Sequence, residues 1–172
     1  MEENLRNKNF DKATEGKEKS DGIFREVCEG GDDTKNSLVK NVDELGILQL
    51  AYMGDAVMEL FTRQELLSCG NYPPGKLVKM SKNYITCEAQ SDAVERILGF
   101  LSENETELYK RGRNAKTHFS PSHGDIIQYR RATGFEALLG YLYLSGNEIR
   151  AREIFSLAYS SVAEKAMKEA VR

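Results

Sequence analysis

The chain has 172 residues, with 24 Lys/Arg against 27 Asp/Glu, a formal charge of −3, 3 Pro and no Trp. That length suits one domain with a substantial core, and a chain rich in Leu, Ala, Glu and Lys favours helices. A membrane span is excluded, because the longest apolar run, Ala137 to Ser145, falls far short of the ~20 residues a span needs. The polar N-terminus resembles neither a signal nor a transit peptide, so the expected setting is cytoplasmic. Three widely spaced cysteines, Cys28, Cys69 and Cys87, without a C-x-x-C, point away from disulfides and zinc.

The charge is unevenly placed. Residues 1–43 hold 8 Lys/Arg and 11 Asp/Glu, and this accounts for the whole net charge. The rest is neutral, but Lys110, Arg111, Arg113 and Lys116 cluster in one short stretch, followed by His118, His123, Arg130 and Arg131. A local basic patch attracts a polyanion whatever the net charge. His118 and His123 lie in a Ser/Pro/Gly-rich stretch with no second ligand pair nearby, which fits a loop or an RNA-facing surface better than a metal site.

Residues 1–42 are expected to form a flexible charged extension, because they cannot bury enough surface to offset their ordering entropy. Residues 43–172 are expected to form the folded domain. Leu45, Leu48, Ala51 and Tyr52, then Val57, Leu60, Phe61 and Leu66, recur at helical spacing up to a stop at Gly70. Pro73-Pro74 opens a short helix carrying Lys76, Lys79 and Lys82. A longer helix is expected from about Ile85 to Leu101, with Ala89, Val94, Ile97, Leu98 and Leu101 facing inward. Ser102-x-x-Glu105 has the capping-box form and begins another helix. Arg111 to Gly124 reads as a mobile loop by its Gly, Asn, Ser and Pro content. Asp125 caps an apolar helix reaching about Ser145, and a last amphipathic helix runs from about Glu148 to Ala170. No strand-like alternation appears, so the expected fold is all-α.

Asp55 and Glu136 sit among apolar and small residues, in Ala51-Tyr52-Met53-Gly54-Asp55-Ala56-Val57 and Thr133-Gly134-Phe135-Glu136-Ala137-Leu138-Leu139-Gly140. A buried carboxylate is costly unless it is paired, hydrogen-bonded or bound to metal. The two therefore suggest carboxylates converging at a helix–helix contact. Structural readings stand beside this one: Asp55 as the N-cap of a helix beginning at Ala56, and Glu136 closing a capping box with Thr133. Glu59, one turn after Asp55, is expected to pair with Arg63.

The run Leu50-Ala51-Tyr52-Met53-Gly54-Asp55-Ala56-Val57 resembles the signature helix of the ribonuclease III family. Tyr129 to Leu144 resembles that family's second catalytic helix, and Arg111-Gly112-Arg113-Asn114-Ala115-Lys116 is similar to a loop of its short branch, Mini-ribonuclease III. The likeness covers about residues 43–160. Two carboxylates of the longer members are missing: their positions are Ala51 and Thr133 here. Too few residues follow for the double-stranded-RNA-binding domain of larger relatives.

The resemblance implies a homodimeric endoribonuclease in which Asp55 and Glu136 are both the catalytic residues and the ligands of Mg²⁺, which suits carboxylate oxygens and retained waters. It implies cleavage of double-stranded RNA to 5′-phosphate and 3′-hydroxyl ends, with large-subunit (23S) ribosomal RNA precursor as substrate and a ribosomal protein as aid. Duplex RNA is read by shape, and the RNA-binding candidates are Lys76, Lys79, Arg111, Arg113, Asn114, Lys116 and Arg130. A solvated helix face is the competing account of the lysine stripe. Tyr52, Met53 and Val57 are the expected dimer contact. An inactive ribonuclease III fold that binds RNA or the ribosome, and a helical dimerisation adaptor, are the alternatives.

Overall fold

The computed structural model describes Val39, residues 41–116 and residues 125–170, with side chains through 164. Most of the expected extension at 1–42, and residues 117–124 with His118 and His123, lie outside the described residues. Six α-helices and two 3-10 turns make up the rest, with no strand among the described residues.

After a 3-10 turn at Val42–Glu44, helix α1 runs Ile47–Cys69. Its entry is held by the Gly46 N–H donating to Gln49 Oε1 at 2.7 Å. It ends at Gly70, whose φ of 156° is one that L side chains rarely adopt. Helix α2, Pro74–Ile85, opens on a proline whose missing N–H costs nothing in a first turn. Thr86 then turns extended, and its hydroxyl accepts from the Ala89 N–H to start α3, Cys87–Ile97. That break starts the helix expected from about Ile85 two residues later, at Cys87. At its far end the backbone tightens into a 3-10 turn at Leu98–Phe100, which turns Leu98 outward to 44% exposure instead of into the core.

Helix α4, Glu103–Arg113, carries the expected capping box: the Ser102 N–H donates to Glu105 Oε2 at 2.8 Å, and the Glu105 N–H to Ser102 Oγ at 3.3 Å. Arg111, Gly112 and Arg113 thus belong to a helix and not to the loop their composition suggested. Helix α5, Ile126–Leu144, starts where Asp125 accepts from the Ile127 N–H at 2.8 Å. Helix α6 runs Glu148–Ala170.

Helix α5 is apolar nearly all round, which is the pattern of a helix buried on every side. Phe135, Ala137, Leu138 and Leu139 are fully buried, with α1, α3, α4 and α6 packed around them. Each such Leu or Phe contributes about 1.5–3 kcal/mol by leaving water. An aromatic cluster of Phe61, Tyr84, Phe155 and Tyr159 ties α6 to α1 and α2, and Tyr159 donates its hydroxyl proton to the Tyr84 carbonyl at 2.7 Å. Arg150 forks onto Glu105 at 2.8 and 2.9 Å and donates to the Phe100 carbonyl at 2.8 Å. These contacts hold Glu105 down to about 2, chiefly through the Arg150 hydrogen bond, and lock α4 to α6.

Candidate active site

The site is built on the crossing of α1 and α5, which is a contact of backbones. A Cβ placed on Gly54 would lie 1.7 Å from the Glu136 carbonyl oxygen, and one on Gly140 would lie 2.0 Å from that of Leu50. Only glycine admits this approach. It sets Asp55, the residue after Gly54, beside Glu136. Both carboxylates stand in the middle of long helices, so neither caps a helix start.

Their environments differ from the expectation that both are buried. Asp55 is exposed, because one residue of helix rotates it about 100° from the buried Gly54. Glu136 is half-buried. Burial, and then the negative charge of Asp55, push its carboxyl up to about 7, while a hydrogen bond from the Gln90 side chain opposes the rise. Asp55 is also raised, first by desolvation and then by Glu59. Glu59 itself is bound to Arg63 as an i,i+4 ion pair, as its spacing predicts. Cys87, in the first turn of α3, shares this field: burial, Glu136 and Asp55 all raise its thiol.

The two positions at which the sequence resemblance leads to further carboxylates contribute none here. Ala51 is in the core. Thr133 is buried and donates its hydroxyl proton to the Tyr129 carbonyl at 3.0 Å. Among the described residues no group of three His, Cys, Asp or Glu side chains could hold a metal. Two adjacent carboxylates, both raised and one of them by the charge of the other, still fit a hard divalent cation, which offsets their negative charge and takes its other oxygens from water and phosphate.

The basic residues do not all share one face, since Arg111 and Arg113 point to different sides of α4. Lys76 lies over the Tyr72 ring at 4.0 Å, and Lys79 is exposed. Arg113 lies over the Tyr109 ring at 5.8 Å and donates to Asn114 Oδ1 at 3.2 Å. Arg111, about 200° round the helix from Arg113, lines a cavity of about 400 Å³ with Asp43 and Glu107. The stripe expected for Arg111, Arg113 and Lys116 is therefore split. Lys116 and Arg130 are exposed, while Arg131 is tied to Glu95 and Ser91.

Gln90 and Cys87 were not found from the sequence. Gln90 lies three, four and seven residues before Ala93, Val94 and Ile97, on the apolar face of α3. A polar side chain in that register is the signal that would have found it.

Residues 48–147 match the Ribonuclease III domain. The chain is 41% identical to the Mini-ribonuclease 3 of Thermoanaerobacter sp. over 73% of its length and 88% of the relative's. It is 38% identical to that of Enterococcus faecalis over 73% of its length and 97% of the relative's. A crystal structure of a protein from Fusobacterium nucleatum superposes with a TM-score of 0.63 at 29% identity, covering 72% of this chain and 98% of that one.

Proposed function

The chain belongs to the ribonuclease III family and is an endoribonuclease, and from that premise we propose that Asp55 and Glu136 hold Mg²⁺ for the hydrolysis of double-stranded RNA. The products are 5′-phosphate and 3′-hydroxyl ends. The observation that carries this reading is the α1–α5 crossing, which sets Asp55 beside a Glu136 whose carboxyl stands at about 7.

A bound divalent cation would make a water more acidic and stabilise negative charge on the phosphate and the leaving 3′ oxygen. The chain's own part is to supply two carboxylates at fixed spacing and to seat the duplex. Lys76, Lys79, Arg113, Asn114, Lys116 and Arg130 engage phosphates, each direct contact steepening the salt dependence of binding. Arg111, facing Asp43 and Glu107, contributes less. Because two carboxylates make a sparse cage, the cation is held weakly by the protein alone and more tightly with RNA.

Cutting both strands takes two copies. Leu48, Tyr52 and Leu60 leave an apolar row on the outer side of α1, which suits a two-fold contact. Likeness to Mini-ribonuclease 3 supports 23S ribosomal RNA precursor as the substrate, a large-subunit ribosomal protein as an aid, and the cytoplasm as the setting. No helix among the described residues is long and apolar enough to cross a membrane.

The test is cleavage of a long RNA duplex with and without Mg²⁺. Asp55→Asn is expected to abolish cleavage while leaving duplex binding intact. Binding without cleavage by the native chain in Mg²⁺ or Mn²⁺ favours instead an inactive RNA-binding protein, a reading that Ala51 and Thr133 motivate.

A further inference from the structure

Ala51 and Thr133 leave the site with two carboxylates, yet α1 carries a third within one turn of Asp55. Glu59 follows Asp55 by four residues in the unbroken helix Ile47–Cys69. That spacing sets the two Cβ atoms about 6 Å apart and only ~40° round the axis from each other. Its level along the seam fits as well. Gly54 abuts the Glu136 backbone and Gly140 abuts that of Leu50, so α1 and α5 run antiparallel where they cross. One turn on from Asp55 is therefore one turn back from Glu136, the level of Thr133, whose hydroxyl is bound to the Tyr129 carbonyl. Glu59 itself is bound to Arg63, with side chains 38% and 70% exposed, and so stands outside any group of three ligands. Both partners of this pair lie on α1, so it ties no second element to the fold, unlike the fork of Arg150 onto Glu105. An exposed pair of this kind is weak. Burial, and then the charge of Glu59, raise Asp55, so that charge reaches the site even while Arg63 is attached.

We propose that Glu59 is the third carboxylate of the cation site and that Arg63 is its counter-ion in the cation-free chain, Glu59 leaving Arg63 when a divalent cation binds at Asp55 and Glu136. The inference rests on the reading of Asp55 and Glu136 as cation ligands. Rotation about the side-chain bonds of Glu59 is enough, and the backbone of α1 need not move. Three neighbouring carboxylates repel one another while no cation is bound. Arg63 offsets the third until a doubly charged ion takes its place.

The test is Mn²⁺ binding to the full chain without RNA, read by electron paramagnetic resonance, for the native protein, Glu59→Gln, Arg63→Gln and the double variant. Glu59→Gln should weaken binding about tenfold, the scale for groups that support metal ligands. Arg63→Gln removes the competitor and should tighten binding about twofold, the strength of an exposed i,i+4 pair. The double variant should match Glu59→Gln alone, because Arg63 acts only through Glu59. The Mg²⁺ needed for half-maximal cleavage should follow the same order. A surface ion pair with no part in the site would shift the melting temperature slightly and leave Mn²⁺ affinity native in both single variants. That result would overturn the inference, while loss of Mn²⁺ binding in Asp55→Asn would leave the two-carboxylate reading standing. An equal gain from Arg63→Gln with and without Glu59 would mean a general charge effect, and it too overturns the exchange. A native chain that neither binds Mn²⁺ nor cleaves takes both readings down.

Discussion

Glu136 pays for its place with stability, and the sign of that effect can be tested. Its carboxyl stands at about 7 in the folded chain, against an ordinary value of 4.5. Between those values the folded state keeps a proton that the unfolded state has released, so stability falls as pH rises through the window. Above pH 7 the whole penalty is present, on the order of 2 kcal/mol after discounting for partial exposure. In EDTA, Glu136→Gln should therefore melt several degrees higher than the native chain at pH 8, and show little gain at pH 4.5. Differential scanning calorimetry at the two pH values decides it. Equal melting at pH 8 would mean that the carboxylate is not desolvated. At low Mg²⁺, cleavage by the native chain should weaken as pH drops below 7, because protons then compete with the cation for Glu136.

Among the elements, the α1–α5 seam decides whether the two carboxylates meet. Gly54→Ala would set a methyl group 1.7 Å from the Glu136 carbonyl oxygen, an overlap with backbone that no side-chain rotation relieves. The expected cost is about 3 kcal/mol or more, read by urea denaturation, with cleavage lost even where the variant remains folded. Gly75→Ala is the control, since a Cβ there meets nothing within 4 Å. It should be neutral or slightly stabilising, as alanine is the better helix former. Equal stability of the two variants would show that the seam is looser than described. Gly112 teaches the same point from the other side. Composition marks it as a loop residue, yet it lies within α4, where its added Cβ would come within 2.9 Å of Ala137 Cβ and the Gly134 Cα. A glycine that breaks a helix and one that admits a neighbouring helix look alike in a sequence.

For the whole molecule, the proposal of two copies turns on the outer side of α1. Tyr52 is 84% exposed, whereas Val57, expected at the same contact, is 1% exposed and belongs to the chain's own core. Leu48, Tyr52 and Leu60 follow the outer side of α1, and Val57 its inner side. Tyr52→Arg is expected to give a monomer by light scattering, with the melting temperature of the isolated fold little changed and cleavage of duplex RNA reduced at least tenfold. A variant that remains dimeric would move the interface away from this row.

Helix number, most helix ends and the capping residues Ser102 and Asp125 were legible in the chain itself, and so was the pairing of Asp55 with Glu136 at a helix–helix contact. They depend on contacts within a few residues: periodicity, caps, prolines and a local motif. Several features were decided only by packing. These are the exposure of Asp55 against the half-burial of Glu136, the helical state of Arg111 to Arg113, the separation of Arg111 from Arg113, the inward turn of Val57, and the burial of Gln90. Each depends on which side of a helix faces which neighbour, and at what distance. Residues that meet at the site lie up to 81 positions apart, as Asp55 and Glu136 do, and no local pattern carries the geometry of that meeting.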